Sequence, residues 1–160
     1  MKLELMNSKK NQSALFFARE GDNYSLEIFR LLKLNFKNVK AVWSKTYNEK
    51  LNFSNLKKYD YIFCFRNYFI LNTKTLKKAK IAAINFHPST PEYRGVGGVI
   101  YAIFDDAKYF GVTAHLMDEK INHGKIFDVV EFKINKSYSI HDLLEKTHFE
   151  QYKQAKRIIE

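Results

Sequence analysis

The chain of 160 residues is poor in the residues that break or staple a backbone: one cysteine, two prolines and six glycines. The lone Cys64 excludes an intrachain disulfide, and its place in the apolar run YIFCF marks a small core residue, not a reactive thiol. No apolar run approaches the roughly 20 residues that cross a bilayer. The amino-terminal MKLELMNSKKNQ has no apolar segment of signal-peptide length, so a cytoplasmic location is expected. Glycine is too sparse for a dinucleotide loop, because FFAREGDNYS after the first strand-like run holds no G-x-G-x-x-G. Acidic residues are in deficit, 17 against 27 basic ones, for a formal charge of +10. Such an excess can attract small anions. Arginine, which reads bases and phosphates, stands only at positions 19, 30, 66, 94 and 157, and the lysines are scattered; no nucleic-acid partner is expected. The histidines (87, 115, 123, 141 and 148) form no His-x-x-x-His, so no metal site is expected. His141 and His148 read as surface or interface residues.

What remains is 46% hydrophobic and 16% aromatic, enough for one domain with a real core over 1–160. Residues 1–12 read as a frayed leader. SALFFA (13–18), NVKAVW (38–43), YDYIFCF (59–65) and IAAINF (81–86) read as strands, and YFGVTAHLM (109–117) and KIFDVVEFKI (125–134) as alternating ones. Asp22 or Asn23 is expected to cap a helix with Leu26, Phe29 and Leu32 on its apolar side. Short helices are predicted near 50–57 and over 72–79, the latter capped by Asn72 or Thr73. Another covers 98–106. A closing helix over 137–160, capped near Ser139, turns Ile140, Leu143 and Leu144 inward. It reaches Glu160 without a C-cap signal, so the chain is expected to run on. Phe149 and Tyr152 would permit a helix-mediated homodimer. Strands alternating with helices imply an α/β fold with a mostly parallel central sheet flanked by helices. Ligands in such sheets bind at the carboxyl ends of strands, here the loops FRNYFIL and NFHPSTPEYRG.

Both prolines fall in one stretch, INFHPSTPEYRG (84–95). Asn85 and His87, two apart in an extended segment, project to one side of the strand end. An amide donor beside an imidazole can stabilise a developing oxyanion and shuttle a proton. An Asn capping a turn and a His filling a crevice would look the same, and the pair alone does not choose between them.

This stretch, followed by FGVTAHLMDEKINHGKIF, resembles the family of N10-formyltetrahydrofolate-dependent formyltransferases, with the likeness running over about 13–135. The resemblance implies a Rossmann-like formyltransferase fold and formyl transfer from N10-formyltetrahydrofolate to an amine. It implies a tetrahedral intermediate held by Asn85 and His87. It implies a pterin cleft bordered by Phe65–Leu71, with Phe65, Arg66, Tyr68, Ile70 and Leu71, and by Asp118 and Ile121. Ser89, Tyr93, Arg94 and Thr113 would face the acceptor. Arg94 would contact an anion, or else pair with Glu92 or Asp105.

One position departs. Where the family has a catalytic aspartate in an Asp-x-Gly step, this chain has Asn122, with His123 and Gly124 after it. An amide can orient an imidazole but cannot take the amine's proton; losing a general base costs roughly 10²–10⁴-fold in rate. Three readings stay open: a slow or substrate-assisted transferase, a folate- or nucleotide-sugar-binding protein that has lost catalysis, and a chain altered at 122 to trap a complex. Among acceptors, a tRNA-binding domain has no room after residue 135. Ala18-Arg19-Glu20-Gly21-Asp22 replaces the Gly-Ser-Gly phosphate loop of the glycinamide ribonucleotide enzyme, leaving that acceptor as the alternative. A nucleotide-linked 3- or 4-amino deoxysugar is therefore expected.

Overall fold

A computed structural model describes residues 9–47, 49–50, 55–118 and 124–160. Its centre is a six-stranded sheet of β1 (Ser13–Arg19), β2 (Asn38–Ser44), β3 (Tyr59–Phe65), β4 (Ala79–His87), β5 (Tyr109–Leu116) and β6 (Ile126–Lys133). The spatial order is β2-β1-β3-β4-β5-β6. The first four strands are parallel, β5 runs antiparallel to β4, and β6 antiparallel to β5. Chain direction therefore reverses at the β4–β5 border. The carboxyl end of β4 lies beside the carboxyl-terminal half of β5, with Asn85 opposite His115 and His87 opposite Thr113.

Four helices cover the sheet: α1 (Asn23–Asn35), α2 (Thr73–Leu76), α3 (Gly98–Phe104) and α4 (Ile140–Ile159). Side-chain alternation divides each central strand between two apolar layers. Phe16, Phe63, Ile84, Phe86 and Ala114 meet Ile28 and Leu32 of α1 and Ala155 and Ile159 of α4. On the opposite face Leu15, Phe17, Ile62, Cys64 and Ala83 form a second layer with Leu71, Leu76 and Met117. Each fully buried Phe, Leu or Ile adds on the order of 1.5–3 kcal/mol, which makes the two-faced middle of the sheet its rigid part. Cys64 is buried here, and its thiol is pushed up beyond the usual range by desolvation.

The helix ends follow the sequence closely. Asp22 caps α1 by accepting from the Ser25 amide, Asn72 caps α2 through the Thr75 amide, and Ser139 with Asp142 forms a capping box on α4. The inward faces differ. Ser25, Ile28 and Leu32 are the buried residues of α1, whereas Leu26 is 39% exposed. α2 is a single turn because Lys78 is already pairing, its carbonyl accepting from the Tyr59 amide at 2.9 Å. Residues 55–57 are not helical, and 51–54 lie outside the described residues. On α4, Leu143 is buried but Ile140 is exposed, and the buried face includes Thr147, Gln151 and Gln154. Tyr152, expected on a free surface, stacks on Tyr24 at 5.2 Å and packs against the core. Only Phe149 of that pair remains exposed. Among the described residues no helix is long and apolar enough to cross a membrane.

Candidate active site

In β4, Ala82, Ile84 and Phe86 pack toward α1 and α4, and Ala83 marks the other face. Strand alternation puts Asn85 and His87 on that other face. The strand is narrowest in chemistry here, because two polar groups bracket a phenylalanine that is only 1% exposed.

Asn85 Nδ2 lies 3.1 Å from Nε2 of His115 on β5. The other ring nitrogen of His115 lies 2.9 Å from the Leu116 carbonyl oxygen. A carbonyl only accepts, so Nδ1 carries the hydrogen. In the neutral ring Nε2 is then an acceptor, which the Asn85 amide supplies by donating. His115 is 3% exposed. In the sequence it was only one polar residue in an alternating strand; its role becomes visible once the register pairs it with Asn85.

His87 is the second polar group. Its Nε2 is buried and has no hydrogen-bond partner among the described residues. Burial pushes the imidazole down from 6.5 to about 4, and the nearby His115 acts the same way, while a backbone hydrogen bond with Tyr93 favours the charged form. At neutral pH the ring is therefore uncharged, with a lone pair available for a proton.

The turn after β4 is held from within. The Ser89 hydroxyl donates to the Tyr93 carbonyl at 2.7 Å, and the Thr113 hydroxyl donates to the Ser89 carbonyl at 2.7 Å. Both residues are almost fully buried. A backbone carbonyl is thus the partner of each hydroxyl. A Cβ on Gly98 would collide with the Ser89 side chain, which is why the start of α3 must be glycine. The Tyr93 ring packs on Phe110 with centroids 5.9 Å apart, and its hydroxyl reaches Asp105 at 3.1 Å. Arg94 is exposed and has no carboxylate partner among the described residues; its Nε donates to the Pro91 carbonyl at 3.2 Å. From α4, the fully buried Gln151 donates from Nε2 to the Phe86 carbonyl at 2.6 Å, bracing the peptide between Asn85 and His87.

The loop after β3 divides into residues that face out and residues that do not. Phe65 is fully buried in the core, and Leu71 is 8% exposed in the second apolar layer; the side chain of Phe65 is thereby removed from any ligand contact. Arg66 has a left-handed backbone, φ 53°. Its Nε sits 3.4 Å from an Asp22 carboxylate oxygen with both side chains nearly buried, so its cation is already matched. The Tyr68 ring lies under the Arg19 guanidinium at 4.2 Å and against Tyr47 at 4.1 Å. Ile70 is 73% exposed. This leaves Tyr68 and Ile70 as the side chains of the loop that a ligand can reach, with the Leu71–Met117 apolar layer behind them.

Asp118 is exposed. Ile121, Asn122 and His123 lie outside the described residues. Gly124 follows them, and a Cβ there would collide with the Leu116 carbonyl, the same carbonyl that fixes His115. His148, expected on the surface, is partly buried near Arg66 and Arg19, and burial with those cations pushes its imidazole down to about 4. Among the described residues no group of three or more His, Cys, Asp or Glu could hold a metal ion. A separate open cleft between β6 and α4, lined by Val130, Lys153, Lys156 and Arg157, shares no residue with the β4 site.

The mostly parallel sheet and its polar pair at the end of the last parallel strand define the formyltransferase class of α/β domains. Residues 29–159 match the formyl transferase family, and the chain belongs to that family. It is 35% identical over 104 residues to the bifunctional polymyxin resistance protein ArnA of Wigglesworthia glossinidia brevipalpis, an overlap of 59% of this chain and 16% of that protein. The chain thus spans about a sixth of that relative's length. Among solved structures it superposes on phosphoribosylglycinamide formyltransferase from Bacillus halodurans with TM-score 0.76 at 15% identity, covering 92% of this chain and 93% of that one. An N-formyltransferase of Helicobacter canadensis, solved with folinic acid and dTDP-3-aminofucose, gives TM-score 0.74 at 21% identity over 90% and 61% of the two chains.

Proposed function

We propose that this chain is the catalytic domain of an N-formyltransferase, moving the formyl group of N10-formyltetrahydrofolate to the amine of a nucleotide-linked amino sugar. The observation that carries the reading is the convergence of Asn85, His87 and His115 at one strand end, with the His87 Nε2 buried and without a hydrogen-bond partner among the described residues. An orphaned nitrogen in a polar corner suits a site completed by a ligand. The exposed Ile70, the Tyr68 ring and the Leu71–Met117 layer suit one wall of a flat heterocycle. When bound, the folate supplies an activated formyl carbonyl. Asn85 donates to the carbonyl oxygen as negative charge develops there. The neutral His87 imidazole would accept the proton that the attacking amine must shed and return it to N10 of the departing tetrahydrofolate as the formyl carbon–N10 bond breaks. Family membership and the sugar-nucleotide complex of the Helicobacter neighbour support this acceptor class. So does Arg94, an exposed cation beside the turn with no carboxylate partner among the described residues, which suits a diphosphate.

Asn122 belongs to the proposal as the position that limits turnover: an amide there cannot share the proton that His87 takes up. Formyl transfer should be measured with nucleotide amino sugars and glycinamide ribonucleotide as acceptors, for this chain and for Asn122→Asp. A sugar-nucleotide preference and a rate gain of about 10²-fold or more for the aspartate variant are expected. No transfer to any amine by either protein refutes the enzyme reading. Preference for the ribonucleotide refutes the acceptor, and an aspartate variant no faster than the parent refutes the role of position 122.

A further inference from the structure

We infer that His115 is a positioning residue for the reaction proposed above: it selects which atom of the Asn85 carboxamide faces it, and so fixes the plane in which that amide meets the formyl oxygen. A carboxamide has two near-isosteric ends, one donor and one acceptor, which an isolated Asn can exchange by a half-turn about its last bond. A formyl oxygen gaining charge is stabilised only by the donor end. Something must therefore remove the choice.

The sequence of constraints starts from a group with no freedom. The Leu116 carbonyl is an acceptor and lies 2.9 Å from His115 Nδ1, so that nitrogen holds the hydrogen. An imidazole with that single ring hydrogen presents a lone pair at Nε2, which only the Nδ2 end of Asn85 can satisfy, at 3.1 Å. The half-turned carboxamide would set two lone pairs against each other in a pocket where His115 is 3% exposed, and a low local dielectric makes such a clash costly. Two backbone features hold the imidazole to this task. Asn85 and His115 are direct cross-strand partners, and the register of β5 against β6 shifts between Ala114 and His115, an irregularity of the kind that re-aims a side chain. The Leu116 amide is bonded to the Lys125 carbonyl at 2.9 Å, and Gly124 packs against the Leu116 carbonyl. The peptide that sets the tautomer is thus pinned on both sides.

The inference rests on the formyltransferase reading, and a double-mutant cycle separates the two. Steady-state formyl transfer should be measured for the parent, His115→Phe, His115→Gln, Asn85→Ala and Asn85→Ala/His115→Phe. In His115→Phe the ring volume stays and the acceptor is lost; kcat is expected to fall about 10- to 100-fold with the donor KM changed less than about twofold. His115→Gln, whose side-chain oxygen can accept from Asn85, is expected to restore most of kcat. In the Asn85→Ala background the Phe change should alter the rate less than about twofold, since its effect runs through the missing amide. Additive losses overturn the inference, as does full activity in His115→Phe. If Asn85→Ala itself is as fast as the parent, the formyltransferase reading of the site falls first. Should the Phe variant fail to fold, nitrogen-15 shifts of the parent's imidazoles decide the matter: a neutral ring protonated at Nδ1 supports it, and protonation at Nε2 overturns it.

Discussion

Two imidazoles that the fold keeps neutral should make the protein lose stability on the acid side well before its carboxylates are protonated. His87 and His148 both fall from an ordinary 6.5 to about 4 through burial, reinforced by His115 in one case and by Arg66 and Arg19 in the other. Above pH 6.5 each is uncharged in both the folded and the unfolded chain and contributes no pH dependence. As pH falls from 6.5 toward 4, the unfolded chain gains the protons and the folded one does not, so folding becomes steadily less favourable. Below about 4 both states are protonated and the loss levels off. A shift of this size corresponds to roughly 3 kcal/mol per histidine at most, at about 1.4 kcal/mol per unit. At pH 4.5 the two together remove on the order of 5 kcal/mol, against a total of about 5–15 kcal/mol for an ordinary domain. Urea unfolding at pH 7.5, 6 and 4.5 measures this as a fall in midpoint with an unchanged m-value. Carboxylates held low by partners, such as Glu150 beside Lys146 and Lys153, add to the fall at the acid end, so the comparison between proteins is the test. His87→Gln and His148→Gln should each lose about half as much as the parent. If both variants follow the parent's pH dependence, or if the His87 resonances titrate near 6.5, the burial argument and the neutral-base role built on it are wrong.

Further predictions concern single contacts. Asn85→Ala should lower formyl transfer by about 10²–10³-fold, the effect of removing one oxyanion donor, with a stability loss of about 1–3 kcal/mol in urea unfolding because the buried His115 Nε2 loses its donor. Gln151→Leu leaves the Phe86 carbonyl without its donor and should cost about 1–3 kcal/mol in urea unfolding, with kcat falling because the peptide between Asn85 and His87 loses its brace. Gly124→Ala places a Cβ against the Leu116 carbonyl; the backbone must move, and a loss above about 2 kcal/mol together with reduced kcat is expected.

The fold was legible wherever hydrophobicity ran unbroken or alternated cleanly. The strand reading of YDYIFCF coincides with β3 as folded, and Asp22, Asn72 and Ser139 act as the caps their residue types announce. Helix faces were less legible. α4 turns Thr147, Gln151 and Gln154 inward, where their side chains donate to carbonyls of α4, β4 and β5, and an apolar periodicity has no way to register a buried glutamine. The pairing of Asn85 with His87 could be read from spacing because two residues on one strand obey a fixed alternation. His115 could not, since its place opposite Asn85 depends on β4–β5 register. The carbonyl partners of the Ser89 and Thr113 hydroxyls were likewise hidden, since they depend on how the turn after β4 folds back on β5.

The alternation along β4 also limits how this protein can change. Ile84 and Phe86 lie in the apolar layer, and Asn85 and His87 point away from it. Adding or deleting one residue earlier in the strand would exchange the two sets, driving an amide and an imidazole into packed hydrocarbon and turning a phenylalanine toward the ligand. Insertions after residue 87 do not exchange the two faces of β4, although close to Ser89 they would disturb the buried contacts of the turn. The turn and α3 are therefore free of that constraint, while the length of the segment leading into Asn85 and His87 stays locked.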